Sequence, residues 1–414
     1  MTLFARTVEI ADPGELLQYL PAPDSGSPAQ SWIRRGDGLV AIGEVARWEV
    51  SAIGEADEHW REFLSGLSHT DELTDNGAVF GSGPVAFGSF AFDPANTARK
   101  SVLIVPALVI GRMHGRSWLT LIGDEAAIAD PRLPAPGGEP QFAGEVSWSD
   151  GELSGPQWEG VVSRVIQRLR TSDIDKVVLA RELIASAPGP IDPRWLLRSL
   201  VQTYSSTWAF QVDDMIGASP EMLVRREGGL ATSRVLAGTI WRSDGQDGEA
   251  IAAALADSSK DLIEHEYAVA SVAQALAPHC SGMNVPDSPY VLELPNVSHL
   301  ATDVTAVAKP GSTSLALAEA LHPSAAVCGT PTDRARAVIA EVEQLDRGRY
   351  AGPVGWLDSR GDGEWAIALR CGRLSPDRHE LWAYAGCGIV ADSDPAKELA
   401  ETQAKLVPIR DALA

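Results

Sequence analysis

The run Glu221-Met-Leu-Val-Arg225, Arg226-Glu-Gly-Gly229, Leu230-Ala-Thr-Ser-Arg-Val-Leu236 decides the fold class of this chain. Two segments with strand-like composition flank Glu227-Gly228-Gly229, where glycine supplies the turn conformation that other residues resist. The reading is a hairpin, so adjacent strands run antiparallel, and Glu221 sits where a loop, Gly217-Ala-Ser-Pro220, enters the first of them. Working outward, Ser101-Val-Leu-Ile-Val105, Lys176-Val-Val-Leu-Ala180, Glu364-Trp-Ala-Ile-Ala-Leu-Arg370 and Leu381-Trp-Ala-Tyr384 also read as strands. Helical spacing marks Gln157 to Thr171, and again a stretch capped by Ser258 or Ser259 that carries Leu262, Val269, Val272 and Leu276 and stops before Pro278. A further helix takes Ser393 or Asp394 as its cap and Pro395 as its first residue, with a stop expected near Pro408. Hairpins mixed with helices predict an α+β protein, with large mostly antiparallel β-sheets flanked by helices, and not a doubly wound parallel fold.

Pro21 to Ser31 and Asp130 to Gly138 read as loops. The second is a candidate boundary near the end of an N-terminal portion, residues 1–150, which precedes a second region, residues 151–414. The Ser101–Val105 run needs another layer to cover it, so the N-terminal portion is expected to contribute to one composite domain.

With 414 residues and 45% hydrophobic content, the chain can bury a large core. Its 34 basic and 56 acidic residues give a formal charge of -22, which repels nucleic acid and anionic membranes. An anionic substrate then requires a local positive or metal-bearing pocket. Cys280, Cys328, Cys371 and Cys387 are scattered without zinc spacing and read as reduced core residues. Neither a signal-peptide pattern after Met1 nor a bilayer-length apolar run is present, and a cytoplasmic location is the expectation.

Two acidic pairs stand out. Asp261 and Glu264, and likewise Glu398 and Glu401, lie three residues apart, so each pair shares a helical face. Each is either a solvated surface or half of a magnesium site built from hard oxygen donors. Lys405, one turn beyond Glu401, is either a surface ion-pair partner or an anchor for a ligand carboxylate. Glu264-His265 lacks the second histidine of a zinc-protease helix, which excludes that reading.

Several strings now combine: Lys176-Val-Val-Leu-Ala-Arg181, Gly217-Ala-Ser-Pro-Glu221, Leu236-Ala-Gly-Thr239, Lys260-Asp-Leu-Ile-Glu-His265, His322-Pro-Ser-Ala-Ala-Val-Cys-Gly329, Glu364 to Arg370, and Gly386-Cys-Gly-Ile-Val390. In order and spacing they resemble the chorismate-utilising enzymes, a family of isochorismate, salicylate, anthranilate and aminodeoxychorismate synthases. The likeness covers about residues 155–408, with a looser match at Ala86-Phe-Gly-Ser-Phe-Ala-Phe-Asp93.

The resemblance implies Glu264 and Glu401 as magnesium ligands, with Asp261 and Glu398 orienting metal-bound water. It implies that Tyr350 and Arg370 hold the enolpyruvyl carboxylate of chorismate. Gly238, Thr239, His299, Ala326, Val327, Leu369, Gly386 and Lys405 match other positions lining the substrate pocket. Lys176 matches the water-activating base, a lysine in members that add water and typically glutamine in those that deliver ammonia. Glu221 matches the acid that protonates the departing hydroxyl. For these roles Lys176 has to be neutral at least transiently and Glu221 protonated. The implied activity is isochorismate synthesis: water adds at C2 of chorismate and the C4 hydroxyl leaves.

Salicylate synthesis, in which pyruvate is then eliminated, is the alternative; Ala325-Ala326-Val327-Cys328 looks more like the isochorismate synthase loop. A non-catalytic relative is a third reading, against which all the catalytic and acidic positions are retained. Cys328 and Cys387 depart from the Ser or Ala frequent in the family, which bears on product release or oxidation sensitivity. Water as nucleophile implies no glutamine amidotransferase subunit, and a monomer fits the family. The product feeds menaquinone, a catechol siderophore or salicylate according to the next enzyme.

Overall fold

The computed structural model describes residues 2–73, 79–241, 259–294 and 297–414; the side chains of 237–241, 259–261, 264, 293–294 and 297–299 lie outside that description. Among the described residues, the strands form one sheet of 13 and one of 10. The larger sheet runs from Ser147–Asp150 through Lys176–Ser186 (β1), Glu380–Ile389 and Cys371–Leu374 to Met215–Ser219 and Trp208–Val212. It continues through N-terminal strands, beginning with Ala29–Arg34, to Leu67–Asp71. Strands 215–219, 371–374 and 380–389 are β2, β7 and β8. The smaller sheet includes Met222–Glu227 (β3), Leu230–Trp241 (β4), Val297–Ala308 (β5) and Gly363–Ile367 (β6), and ends on the N-terminal strands Val85–Ser89, Ser101–Val105 and Ala46–Val50. Both sheets therefore draw on both ends of the chain. Among the described residues, pairing is antiparallel apart from Leu3–Ile10 against Leu67–Asp71.

The expected hairpin is β3–β4, with Glu227 opposite Leu230 and Gly228 and Gly229 both at positive φ. The neighbouring expectation is corrected: Gly217, Ala218 and Ser219 belong to β2. Only Pro220 and Glu221 separate β2 in the larger sheet from β3 in the smaller one. Glu221 thus marks the point where the chain changes sheets.

One core cluster draws residues from both sheets, among them Trp32, Phe210, Trp356 and Trp365. Trp32 Nε1 donates to Glu364 Oε2 at 2.9 Å, a buried bond that links the two sheets. A second cluster fills the other face of the larger sheet beneath Pro193–Thr203 (α2) and Pro395–Leu413 (α5).

Helix Gly155–Leu169 (α1) buries Val161, Val162, Val165, Ile166 and Leu169, the helical stripe its sequence announces. Helix Ser259–Leu276 (α3) matches the expected span, and Thr332–Val342 (α4) leads to Glu343. In α5, Asp394 accepts from Lys397 N at 3.0 Å and Pro395 opens the helix, as expected. The expected stop near Pro408 is wrong, because the helix runs on to Leu413. An interior proline costs about 3 kcal/mol. Burial of Leu406, Ile409 and Leu413 offsets it, at roughly 1.5–3 kcal/mol per side chain.

Candidate active site

The site is built on the inner ends of β1 and β8 and on the crossover at Glu221. Lys176 is the first residue of β1, which pairs with β8 so that Val178 faces Gly388 and Ala180 faces Gly386. A Cβ on Gly388 would lie 2.4 Å from Lys176 Cε and 3.3 Å from Nζ, so the lysine side chain crosses the space that glycine leaves open. A Cβ on Gly386 would meet Leu179 O at 2.9 Å and Tyr350 Oη at 3.3 Å. Lys405 reaches in from α5, donating to Gly386 O at 2.8 Å while pairing with Glu401 at 2.7 Å. The ion pair read from the Glu401–Lys405 spacing therefore exists, and it faces the site strand.

Glu221 and Arg370 are held by one set of crossover contacts. The Ser219 hydroxyl, fully buried, donates to Ile367 O at 2.6 Å and accepts from Glu221 N at 3.3 Å. Ile367 N donates to Glu221 O at 3.0 Å, and Ala218 N to Arg370 O at 3.1 Å. Arg370 lies just past β6 with φ of 48°, a left-handed conformation uncommon for a residue with a side chain. Gly217 is required beside it, since a Cβ there would meet Arg370 O at 2.6 Å.

Electrostatics group these side chains. Burial pushes the Glu221 carboxyl up to about 7, and the positive charges of Lys176, Arg370 and Lys405 oppose that rise. Burial also lowers the pKa of Arg370, against the pull of Tyr350, Glu401 and Glu221. The Tyr350 phenol is raised by burial, and its ring stacks on Tyr384 with centroids 5.1 Å apart. Glu398 and Glu401 both act on the Cys387 thiol, placing the acidic face of α5 beside β8.

Lys176, Glu221, Tyr350, Arg370, Gly386, Glu398, Glu401 and Lys405 are thus brought together, with Leu369 adjoining Arg370. Ala326 and Val327 lie on a turn in which Val327 N and Cys328 N donate to Ser324 O; Cys328 O then accepts from Val178 N at 2.9 Å, docking the turn on β1. For Gly238, Thr239, His299, Asp261 and Glu264 the side chains lie outside the described residues. Their backbones put Asp261 and Glu264 in α3, and Thr239 opposite His299 across β4 and β5, with Gly238 at the register shift. Among the described residues, no three His, Cys, Asp or Glu side chains form a metal cluster, and two of the four expected acids are not in that set. Glu398 and Glu401 nonetheless offer the hard oxygen donors magnesium takes. His265 is a core residue, its Nε2 2.7 Å from Thr302 Oγ1.

Three residues beside the site were not singled out by sequence reasoning. Gly388 lay inside a quoted motif, but its closeness to Lys176 depends on strand register. Glu343 and Arg347 form a buried pair against β1. Their i, i+4 spacing resembles any surface ion pair, and no sequence signal separates the two cases. No helix among the described residues is long and apolar enough to cross a membrane.

Comparison with known proteins bears on this constellation. A family profile described as "Chorismate binding enzyme" matches residues 136–414. The chain is 32% identical to the isochorismate synthase MenF of Bacillus subtilis, over 99% of this chain and 93% of that protein. It is 41% identical to the isochorismate synthase DhbC of the same organism, over 59% of this chain and 64% of that protein. The structure of MenF, the menaquinone-specific isochorismate synthase of Escherichia coli, superimposes with a TM-score of 0.79 at 23% identity, covering 100% of this chain and 95% of that one, a likeness of fold.

Proposed function

The chain belongs to the chorismate-binding enzyme family, and from that premise we propose that it is an isochorismate synthase, converting chorismate to isochorismate by adding water at C2 and releasing the C4 hydroxyl. One observation carries the reading: Glu221, raised to about 7, is a carboxyl able to hold a proton at neutral pH inside a ring of Lys176, Arg370 and Lys405. A general acid needs that proton, and a substrate carrying two carboxylates needs those cations.

Lys176 takes a proton from the attacking water. Glu221 gives its proton to the departing hydroxyl, which leaves as water. One water enters and one leaves, so the overall change is an isomerisation. Arg370, whose planar fork can pair both oxygens of a carboxylate, orients the enolpyruvyl group together with Tyr350. Lys405, fixed between Glu401 and Gly386 O, lends positive charge to the pocket.

Magnesium belongs to the same proposal. Glu398 and Glu401 on α5, with Asp261 and Glu264 on α3, would hold it, and a bound ion would neutralise and orient the ring carboxylate of chorismate. Independence from an amidotransferase subunit accompanies the proposal, since water replaces ammonia; a cytoplasmic location and a monomeric state are proposed with it.

The test is incubation with chorismate, with and without magnesium, and chromatographic separation of the products. Magnesium-dependent isochorismate without pyruvate is expected. Salicylate with stoichiometric pyruvate would replace this reading with salicylate synthesis, and unchanged chorismate would leave a binding protein without turnover.

A further inference from the structure

Among the described residues, strand β1 has no strand neighbour along part of one edge, at the place where it leads out from Lys176. The opposite edge pairs with β8 from Val177 to Ser186. On the open edge, Lys176 and Val177 pair with Thr330 and Gly329, and Leu183 to Ser186 pair with Ser147–Asp150. Between them the backbone groups of Val178 and Ala180 point away from β8, and all but one of their partners are side chains. Val178 O accepts from Arg347 Nη2 at 2.7 Å, Ala180 N donates to Glu343 Oε2 at 2.7 Å, and Ala180 O accepts from Trp158 Nε1 at 3.0 Å. Val178 N is the exception, bonded to Cys328 O.

Glu343 and Arg347 are themselves tied in two places, Nε to Oε1 and Nη2 to Oε2, each at 2.6 Å. Arg347 Nη1 donates to Val327 O at 3.0 Å, and the guanidinium lies 4.2 Å over the Phe92 ring. One guanidinium therefore joins the strand that begins at Lys176 to the turn that carries Ala326 and Val327. Both side chains are at least 95% buried, so neither bond has water as a substitute.

We propose that Glu343 and Arg347 are positioning residues for chorismate turnover, setting where Lys176 enters the pocket relative to the turn at Ala326 and Val327. The inference rests on the assignment of Lys176 as the base. Glu343 and Arg347 bond to the strand and the turn and are given no chemical step of their own. Their effect on the reaction runs through the placement of the water-activating amine, to which rate is far more sensitive than binding. Chorismate itself is held from other elements, by Arg370, Tyr350 and Lys405.

Arg347→Lys keeps the charge but cannot span Glu343, Val178 O and Val327 O together. It should lower kcat about 10- to 100-fold with the KM for chorismate within about 3-fold of wild type. Glu343→Gln, which keeps an acceptor for Ala180 N, should fall between wild type and Arg347→Lys. Where a single change prevents folding by stranding a buried charge, the double variant Glu343→Leu/Arg347→Met removes both charges together and should show the same loss of kcat.

Hydrogen exchange at the Val178 and Ala180 amides, followed in the same proteins, reads the strand without reference to activity and should quicken in every variant. Folded variants with wild-type kcat, or with a raised KM and unchanged kcat, would overturn the proposal, as would unchanged exchange at both amides. A wild-type protein that leaves chorismate untouched would instead overturn the functional reading, while the exchange result would still report on the anchoring itself.

Discussion

Lys176 lies across Gly388, the residue paired with Val178 on the adjacent strand, so closely that a single added methyl would sit 2.4 Å from its Cε. Contacts under 3 Å between carbons do not persist, and the flexible lysine would move before the two hydrogen-bonded strands did. Gly388→Ala should therefore leave the protein folded and lower kcat about 10- to 100-fold by displacing the amine. Steady-state kinetics beside a thermal melt checks this. Unchanged kcat would mean that the position of the Lys176 amine does not limit turnover.

In the proposed mechanism Lys176 and Glu221 occupy opposite roles in proton transfer, and substrate affinity is assigned to Arg370, Tyr350 and Lys405. Lys176→Ala and Glu221→Ala should each reduce turnover by at least about 100-fold, in the range that general acid–base groups contribute. Calorimetric titration with magnesium and chorismate should show binding largely retained. Equal losses of binding and turnover would identify these residues as structural.

Glu221 also predicts a pH signature. Its ordinary value of 4.5 is raised by burial to about 7 in the folded protein. Between those values the native state binds more protons than the unfolded chain, so the contribution of Glu221 to stability declines as pH rises through the window. Glutamine has no proton to release. The Tm of Glu221→Gln, measured against wild type, should thus climb from pH 4.5 toward pH 7 and level off above it. In wild type the same titration should depress kcat/KM on the alkaline side of about 7. A Tm difference that is flat with pH would contradict the raised value.

The cysteines give a chemical test. All four are free and buried, and burial raises each thiol, Cys328 to about 11. Thiolate is the reactive form, so oxidation at Cys328 and Cys387 is expected to be slow in the folded protein. A thiol-specific chromogenic reagent at pH 8 should label the native protein very slowly and all four cysteines promptly in denaturant.

Much of this was legible in the sequence, for reasons that differ between residues. The β3–β4 hairpin and α1 follow from local patterns, glycines in a turn and an apolar stripe, and both stand in the structure. Pro408 misleads because a local rule is outweighed by the burial of Leu406, Ile409 and Leu413, a tertiary effect. Gly217 to Ser219 reads as loop for a related reason, since Gly and Ser disfavour strands, yet Gly217 is needed for close approach to Arg370. Lys176 and Glu221 were found through family resemblance; spacing alone does not bring residues 45 positions apart together. Glu343, Arg347 and Gly388 act through strand register and burial, which appear only after folding.

In the proposed reaction, water activated at Lys176 enters the ring as another hydroxyl departs. Reaction of chorismate in oxygen-18 water, with mass analysis of the isochorismate formed, tests it most directly. One heavy oxygen is expected in each isochorismate molecule, carried by the C2 hydroxyl. Isochorismate containing only the original oxygens would show that the hydroxyl migrates within the substrate, contradicting the roles given to both Lys176 and Glu221.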